Sequence, residues 1–184
     1  MKIKETAIAG CYEISPDLFD DQRGRFVKTF NFSRFAEKEL GTKYLEDFYS
    51  ISFKGVIRGL HFQLPPEDGV KLVYCLSGRA FDVVVDLRAD SPKYGKYLAF
   101  ELNSDKCNGI YIPPGLAHGF CAISDNVIMA YKMSKEYAPL KDSGIRWDSV
   151  GIDWPVKDPI ISKRDQGFEK LSEFRSPFKV GKNG

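Results

Sequence analysis

Histidine is scarce in this chain of 184 residues, since only His61 and His118 occur. Proteins commonly bind transition metals through several imidazoles, so the count excludes a histidine-rich metal centre. A site made of two histidines and one carboxylate stays open on the numbers alone. We expect a site that contains no metal and no organic cofactor.

Cysteine is also sparse, and the four cysteines form no Cys-x-x-Cys pair. This spacing argues against a zinc site, and three of the four lie in apolar segments, as expected of reduced thiols in a reducing compartment. Residues 1–6 lack the apolar core of a secretion signal, and no apolar run approaches the length of a membrane span. We therefore expect a cytoplasmic protein with no membrane partner. The cysteines are Cys11, Cys75, Cys107 and Cys121.

Neither sign of charge predominates, because the formal net charge is only +2 and no Lys/Arg cluster occurs. A balance of this kind argues against a nucleic-acid partner, whose phosphates demand many cations. The chain also has no Gly-rich phosphate loop and no Gly-x-Ser-x-Gly elbow. Its length favours one domain over residues 1–184, with a core over about residues 3–168 and a tail over 169–184.

Short β-type runs dominate what is present. Residues 72–76 and 80–87 flank Ser77-Gly78, which predicts a two-residue hairpin. Along the second run, odd-numbered apolar residues alternate with Asp82, Val84 and Asp86, so they occupy opposite faces. Short turns between runs favour an antiparallel β-sandwich or barrel. The other predicted strands are 25–30, 97–102, 109–112, 119–123 and 127–133.

Helix is predicted at two places only. Apolar residues recur with a 3.6-residue period from Ser33 to Leu40, and Gly41 supplies a stop. The charged tail beyond Phe168 suggests a short helix followed by a loose end.

Both histidines lie in segments rich in Gly, Pro and aromatic residues. His61 lies within residues 58–66 and His118 within residues 113–120. Because imidazole exchanges protons near neutral pH, these rigid settings indicate proton transfer. One structural and one solvent-facing histidine is the alternative. The nearby Lys, Arg, Tyr and Asp side chains suit proton transfer and the binding of an oxyanion or a diphosphate.

The chain resembles the dTDP-4-dehydrorhamnose 3,5-epimerase family through a series of ordered motifs. Two blocks are the most specific, Arg-Gly-Leu-His-Phe-Gln at 58–63 and Pro-Gly-Leu-Ala-His-Gly-Phe at 114–120. The resemblance implies an all-β, cupin-like antiparallel jelly roll with a few short helices. It also implies a homodimer, no metal, and a nucleotide-linked 4-keto-6-deoxyhexose as substrate. Further matching segments are 21–26, 71–73, 82–88, 91–95, 131–132, 137–139 and 152–155.

The resemblance also implies roles for individual residues. His61 is the base, Asp165 orients it, Lys71 stabilises the enolate oxygen, and Tyr131 is the acid on the opposite face of the sugar. Arg23, Arg58 and His118 hold the diphosphate or the sugar, and Tyr137 stacks near the base. The remaining substrate-binding positions are Lys28, Glu46, Phe48, Asp142 and Arg164.

Several of these residues have a plainer interpretation. Lys71 could be a solvated charge at a strand edge, and Tyr131 a core tyrosine with its hydroxyl at the rim. Asp82 could replace Asp165 as the partner of His61. Arg58 could form no more than a surface ion pair.

The chain departs from the family pattern at three nucleotide-binding positions. Lys28 stands where the family usually has Glu, and Glu46-Asp47-Phe48 stands in place of Gln-x-Asn. Lysine only donates hydrogen bonds, which suits cytosine N3 rather than the N3–H of thymine. The exchange suggests CDP instead of dTDP, although Lys28 at an exposed surface would explain it equally well. Phe48 could also restrict reaction to C3 or C5 alone.

The expected function is epimerisation at C3 and/or C5 of the nucleotide sugar, in deoxysugar biosynthesis for surface polysaccharide, lipopolysaccharide O-antigen or a glycosylated metabolite. A 3,4-ketoisomerase and a sugar-binding cupin without turnover are the alternatives.

Overall fold

The computed structural model describes residues 1–181, and they form an almost entirely β structure. The two helices are short, α1 over Phe32–Ala36 and α2 over Lys163–Gln166. The strands are β1 (Lys2–Glu5), β2 (Tyr12–Ser15), β3 (Asp17–Asp21), β4 (Gly24–Lys28), β5 (Glu46–Ser52), β6 (Ile57–Gln63), β7 (Lys71–Ser77), β8 (Arg79–Asp86), β9 (Tyr97–Asn103), β10 (Gly109–Ile112), β11 (Leu116–Ala122), β12 (Val127–Met133) and β13 (Asp142–Gly144).

Two antiparallel sheets make the body of the molecule, as the jelly-roll prediction requires. One has six strands in the order β1-β2-β10-β7-β12-β5, and the other has five in the order β13-β6-β11-β8-β9. Strands β3 and β4 form a separate hairpin. The antiparallel jelly roll predicted from the sequence is therefore confirmed.

The predicted hairpin at Ser77-Gly78 is wrong. Strand β7 lies in the six-stranded sheet and β8 in the five-stranded sheet, so the dipeptide links the two sheets. Gly78 adopts a φ of 76° there, and a Cβ atom would lie 2.5 Å from the Ser124 hydroxyl. The turn chemistry was recognised correctly, but a tight corner between two sheets demands the same glycine as a hairpin does.

Strand β8 is buried on both faces, which explains why apolar residues occur on each of them. Val84 belongs to the core between the two sheets, together with Val73, Leu102 and Phe120. Val83 and Val85 instead pack in a second cluster on the outer face of the five-stranded sheet. The opposite faces predicted for this strand are confirmed.

The first helix is shorter than predicted. Helix α1 ends at Ala36, because Glu39 adopts a left-handed φ of 55° and the N–H of Leu40 returns to the carbonyl of Phe35. Phe35 and Leu40 are nevertheless both buried against the outer face of the six-stranded sheet. The periodicity therefore identified the buried positions correctly but overestimated the helix length.

The tail differs from the prediction of a short helix and a loose end. No helix occurs over residues 169–181; instead Phe174 and Phe178 pack on Phe62 of β6. Pro177 has no N–H to donate to a helix, and Phe178 is 2% exposed in the second cluster. Residues 182–184 of the predicted tail lie outside the described part.

Several strands were not predicted from the sequence, namely β1, β2, β3, β5, β6 and β13. The strand expected at 25–30 lies instead at Gly24–Lys28, paired with β3. The one expected at 119–123 is β11, which begins at Leu116. Within residues 1–181, neither helix has the length or apolar character needed to cross a membrane.

Candidate active site

A cavity of about 400 Å³ opens between the two sheets and gathers most of the predicted site residues. Strands β5, β7 and β12 contribute from the six-stranded sheet, and β6, β11 and β13 from the five-stranded sheet. The predicted residues that line it are Glu46, Phe48, Arg58, His61, Lys71, His118, Tyr131, Tyr137, Asp142 and Arg164.

Asp165 lies just behind this wall and holds His61. Its Oδ1 is 2.9 Å from His61 Nε2, and its Oδ2 accepts the Gly59 N–H at 3.1 Å. Helix α2 positions the carboxylate, because the Ser162 hydroxyl caps the Asp165 N–H at 3.1 Å. The partner of His61 is thus Asp165 and not Asp82, the alternative that the sequence left open.

The His61–Asp165 pair has the protonation that a base requires. Burial lowers the pKa of His61 more than the Asp165 carboxylate raises it. Burial alone would raise the pKa of Asp165, but the hydrogen bonds and charge of His61, together with the Gly59 N–H, lower it overall. At neutral pH the pair is a neutral imidazole beside a carboxylate, which leaves the second ring nitrogen free to accept a proton.

Lys71 on β7 is a half-buried ammonium in the cavity wall and not a solvated strand-edge charge. Its Nζ donates to the backbone carbonyl of His61 at 3.2 Å. Burial lowers the pKa of Lys71 to about 8, against a weaker opposing pull from the Asp142 carboxylate. A fixed ammonium at this position can stabilise a developing oxyanion, provided that the pH is low enough for it to stay protonated.

Tyr131 on β12 reaches the same cavity and is 8% exposed. Its ring stacks on Phe48 of β5, with centroids 4.7 Å apart and planes at 16°. The two residues lie directly opposite each other in the strand register. Burial and the Asp82 carboxylate raise the pKa of Tyr131 well above its ordinary value, so the phenol remains protonated at neutral pH.

His118 forms a second His–Asp pair inside the cavity wall. Its Nε2 lies 2.9 Å from Asp82 Oδ2, and both side chains are almost fully buried. Burial raises the pKa of Asp82 against the opposing effect of His118. The ring of His118 meets that of Tyr131 edge-on at 6.1 Å.

Ion pairs and hydrogen bonds hold the cavity rim. Arg58 donates to the Ser52 hydroxyl at 2.9 Å and to the Ile51 carbonyl at 3.1 Å, in place of the surface ion pair that the sequence left open. Arg164 lies 2.9 Å from Asp142, which also accepts from the Tyr137 hydroxyl at 3.2 Å.

Glu46 and Gln63 anchor the loop that carries Tyr137. Glu46 Oε2 accepts the Tyr137 N–H at 2.6 Å, and Gln63 Oε1 accepts the Ala138 N–H at 2.7 Å. Gln63 also donates to the Glu136 carbonyl at 3.2 Å. The carboxylate of Glu46 is thus bonded to the protein's own backbone.

Arg23 and Lys28 do not reach the cavity of their own chain. Arg23 lies in the turn between β3 and β4, where it pairs with Asp21 and its side chain is 85% exposed. Lys28 ends β4 with its Nζ 5.9 Å from the ring centroid of Phe19.

Several residues that line the cavity were not predicted as site residues. Strand β5 was not predicted, although its residues alternate between an inner face with Glu46, Phe48 and Ser50 and an outer face with Tyr49 and Ile51. A period-2 pattern over residues 46–52 would have found the strand, but it would have assigned Ser50 to the solvent face, because the more apolar face carries Tyr49 and Ile51. The other missed lining residues are Phe62, Gln63, Phe120, Met133 and Lys135.

The side chains that could bind a metal ion are dispersed. Over residues 1–181, no three His, Cys, Asp or Glu side chains come together in a way that could hold a metal ion. His61 and His118 each use a ring nitrogen to bind a different aspartate.

A family model described as dTDP-4-dehydrorhamnose 3,5-epimerase matches residues 5–173. The chain belongs to the dTDP-4-dehydrorhamnose 3,5-epimerase family. The dTDP-4-dehydrorhamnose 3,5-epimerase of Methanothermobacter thermautotrophicus is 43% identical over 174 residues, which cover 92% of this chain and 94% of that protein. The dTDP-4-dehydrorhamnose 3-epimerase of Streptomyces niveus is 38% identical, covering 95% and 86% of the two chains.

A solved member of the family has the same fold. The dTDP-6-deoxy-D-glucose-3,5-epimerase of Legionella pneumophila, in complex with dTDP-4-keto-L-rhamnose, superimposes with a TM-score of 0.92 at 32% identity. The match covers 98% of this chain and 99% of that one. The resemblance seen in the sequence is therefore confirmed, and the protein is a nucleotide-sugar epimerase of the isomerase class.

Proposed function

We propose that this protein inverts C3, C5 or both carbons of a nucleotide-activated 4-keto-6-deoxyhexose, with His61 as base and Tyr131 as acid. One observation carries the proposal. His61 lies on a strand of the five-stranded sheet and Tyr131 on a strand of the six-stranded sheet, yet both line the same cavity. A sugar ring between these walls has a base on one face and an acid on the other.

The chemistry follows from the ketone at C4, which acidifies the hydrogens on C3 and C5. The neutral imidazole of His61 takes one of these hydrogens as a proton, and the C–H electron pair passes into an enolate. The Lys71 ammonium stabilises the enolate oxygen, since a fixed cation is most effective where charge develops. The Tyr131 O–H then protonates the same carbon from the opposite face. General acid and base groups each contribute about 10²–10⁴-fold in rate.

The anionic part of the substrate meets a cationic rim. Arg58 and Arg164 lie in the cavity wall and suit bidentate binding of phosphate oxygens. His118 and Asp142 complete the polar surface on the sugar side, and Tyr137 lines the same cavity. The Legionella relative binds a dTDP-linked keto sugar, which supports a substrate of this class.

The nucleotide that we propose is dTDP or CDP, and the choice between them depends on Lys28. The relatives named above act on dTDP sugars, which favours dTDP. Lys28 favours CDP, because it offers only donors and cytosine N3 accepts. Calorimetric titration with dTDP and CDP, repeated on Lys28→Glu, discriminates between them. CDP preference that reverses in the variant supports CDP; dTDP preference in both proteins rules it out.

The active unit that we propose is a homodimer in which the β3–β4 hairpin enters the partner's cavity. In one chain this hairpin leaves Phe19 and Phe26 53% and 61% exposed. The outer face of β5 is also apolar and exposed, with Tyr49, Ile51 and Phe53 at 54–71%. Contiguous apolar exposure of this kind usually marks an interface. This arrangement would bring Arg23 and Lys28 to a nucleotide. Light scattering that gives a monomer at working concentration would contradict it.

We place the enzyme in the cytoplasm, in a pathway that supplies deoxysugars for surface polysaccharide, O-antigen or a glycosylated metabolite. Its four free thiols suit a reducing compartment.

NMR of the product tests the proposed reaction. Incubation of a nucleotide-linked 4-keto-6-deoxyglucose in D₂O should label C3, C5 or both and invert the labelled carbons, with the ketone still at C4. A ketone moved to C3 would indicate the 3,4-ketoisomerase instead. Binding without label would indicate a sugar-binding cupin.

A further inference from the structure

The hydroxyl of Ser50 is a polar atom without a hydrogen-bond partner in the wall of the active site. Ser50 lies on the inner face of β5 and lines the cavity. Its Oγ is buried, and among the described residues it is the one buried side-chain oxygen or nitrogen that forms no hydrogen bond. Leaving such a group unsatisfied lowers stability, so its presence in the wall calls for an explanation.

The register of the strands places this hydroxyl beside the Tyr131 phenol. Phe48 faces Tyr131 directly across the β5–β12 pair, and Ser50 faces Met129. Ser50 is therefore the diagonal neighbour of Tyr131 on the same face of the sheet, within reach of a long aromatic side chain. Because the Ser50 oxygen has less than 1 Å² of solvent-accessible surface, a neighbouring group of the wall is a nearer partner for it than the sugar.

The Tyr131 phenol needs a donor at one moment of the proposed reaction. When its O–H bond breaks and the proton forms the new C–H bond, the electron pair remains on oxygen as a phenolate. Burial and the nearby Asp82 carboxylate disfavour that anion, whereas the Ser50 hydroxyl, which lies beside the phenol without completing a well-formed hydrogen bond, favours it. A hydroxyl can rotate to donate, so it can respond when the charge appears.

We propose that Ser50 is a positioning residue that donates its hydroxyl hydrogen bond to the Tyr131 phenolate as Tyr131 protonates the sugar carbon. The serine keeps its own proton, so the hydrogen moved to carbon comes only from Tyr131. Solvent later restores the phenol. This inference rests on the proposed roles of His61 and Tyr131, because it concerns only the half of the reaction that ends in inversion.

Two rates measured in D₂O distinguish proton removal by His61 from proton delivery by Tyr131: the rate at which recovered substrate gains deuterium, and the rate at which inverted product forms. When His61 removes a hydrogen and returns deuterium to the same face, recovered substrate carries label without inversion. When Tyr131 delivers the proton, the product is inverted. For Ser50→Ala we expect inversion to fall by about tenfold to a hundredfold, as for loss of a hydrogen bond to a charged group. Label in recovered substrate should persist.

Matched variants make the result specific. Ser50→Thr keeps the hydroxyl and should restore most of the inversion. Ser52→Ala removes the next serine on the same face, whose hydroxyl binds Arg58, and should raise KM while the ratio of inversion to exchange stays at the parental value. A parental ratio in Ser50→Ala, or equal loss in Ser50→Ala and Ser50→Thr, would overturn the role of the hydroxyl.

A further variant tests the proposed acid independently of Ser50. Tyr131→Phe should lose inversion while label still enters recovered substrate. If Tyr131→Phe inverts normally, then the proposed acid is wrong. If Tyr131→Phe loses inversion and Ser50→Ala does not, then only the inference about Ser50 fails.

Discussion

Asp165 binds His61 through one carboxylate oxygen, at 2.9 Å, and the backbone of Gly59 through the other, at 3.1 Å. The two bonds fix the carboxylate relative to the strand that carries the histidine. The imidazole therefore has one ring nitrogen committed to the protein and one available to the substrate, which is the arrangement a base needs.

Replacing Asp165 with Asn should weaken this base. The carboxylate raises the pKa of His61 against the effect of burial, so its loss lowers that pKa further. We expect kcat/KM to fall by about a hundredfold or more. The acidic limb of the pH profile of kcat/KM, where His61 becomes protonated, should move to lower pH. Asp148→Asn, which breaks a surface ion pair with Arg146, is the control. An unmoved acidic limb in Asp165→Asn would contradict this coupling.

Lys71 should set the alkaline limit of activity. Its pKa lies at about 8 in the folded protein, so the ammonium that stabilises the enolate is lost as pH rises through that value. We expect kcat/KM, whose pH profile reports groups of the free enzyme, to decline above about pH 8. In Lys71→Met the remaining activity should be lower by about 10²-fold or more and should show no such limb. An alkaline limb that persists unchanged in Lys71→Met would assign it to another group.

The same lysine should lower the stability of the fold. Its folded pKa of about 8 lies below the ordinary value of 10.5, so between these values the unfolded chain binds more protons. Stability should therefore rise with pH across that window, and the cost of burying the ammonium is largest below pH 8. Lys71→Met should raise the unfolding free energy at pH 7 by on the order of 2 kcal/mol. Denaturant titrations at pH 7 and pH 9 measure both effects, and a less stable variant at pH 7 would refute the argument.

Phe48 should control the position of the Tyr131 hydroxyl, because the two rings stack. Stacking of this kind contributes about 0.5–1.5 kcal/mol, so Phe48→Asn should slow inversion by roughly threefold to tenfold. It should also change the ratio of deuterium at C3 to deuterium at C5, because the phenol is no longer confined to one position. Phe48→Tyr retains the stack and serves as the control. Identical label ratios in all three proteins would remove Phe48 from the choice of carbon.

Glu46 should act on binding through the Tyr137 loop. Its carboxylate accepts the Tyr137 N–H at 2.6 Å, and alanine leaves that N–H unpaired. We expect Glu46→Ala to raise KM by about fivefold to tenfold, which is the loss of roughly one hydrogen bond, with little change in kcat. Glu46→Gln keeps an acceptor and should remain close to the parent. A KM unaffected by alanine would indicate that the loop is held without Glu46.

Residue periodicity in the sequence predicted which side chains of a strand or helix share a face. The alternation of β8 assigned its residues to opposite faces correctly, and the period of Phe35 and Leu40 identified the residues that α1 and the following turn bury. The Ser77-Gly78 corner shows the limit of such reasoning. A positive φ is required both in a hairpin and in a passage between sheets, and only long-range packing decides which one forms.

The site depended on contacts that are distant in sequence. Asp165 meets His61 across 104 residues, and the sequence left Asp82 open as an alternative partner, which in the structure pairs with His118 instead. Ser50 was missed because β5 is an edge strand whose exposed outer face, with Tyr49 and Ile51, is more apolar than the inner face that carries Ser50. Arg23 and Lys28 were predicted near the nucleotide, yet one chain alone places them on an exposed hairpin.

Isotope exchange in His61→Ala tests the central claim most directly. With a nucleotide-linked 4-keto-6-deoxyglucose in D₂O, the account predicts no deuterium at C3 or C5 of either substrate or product, while titration of the nucleotide still gives the parental affinity. Deuterium entering either carbon at the parental rate would show that another group removes the hydrogen.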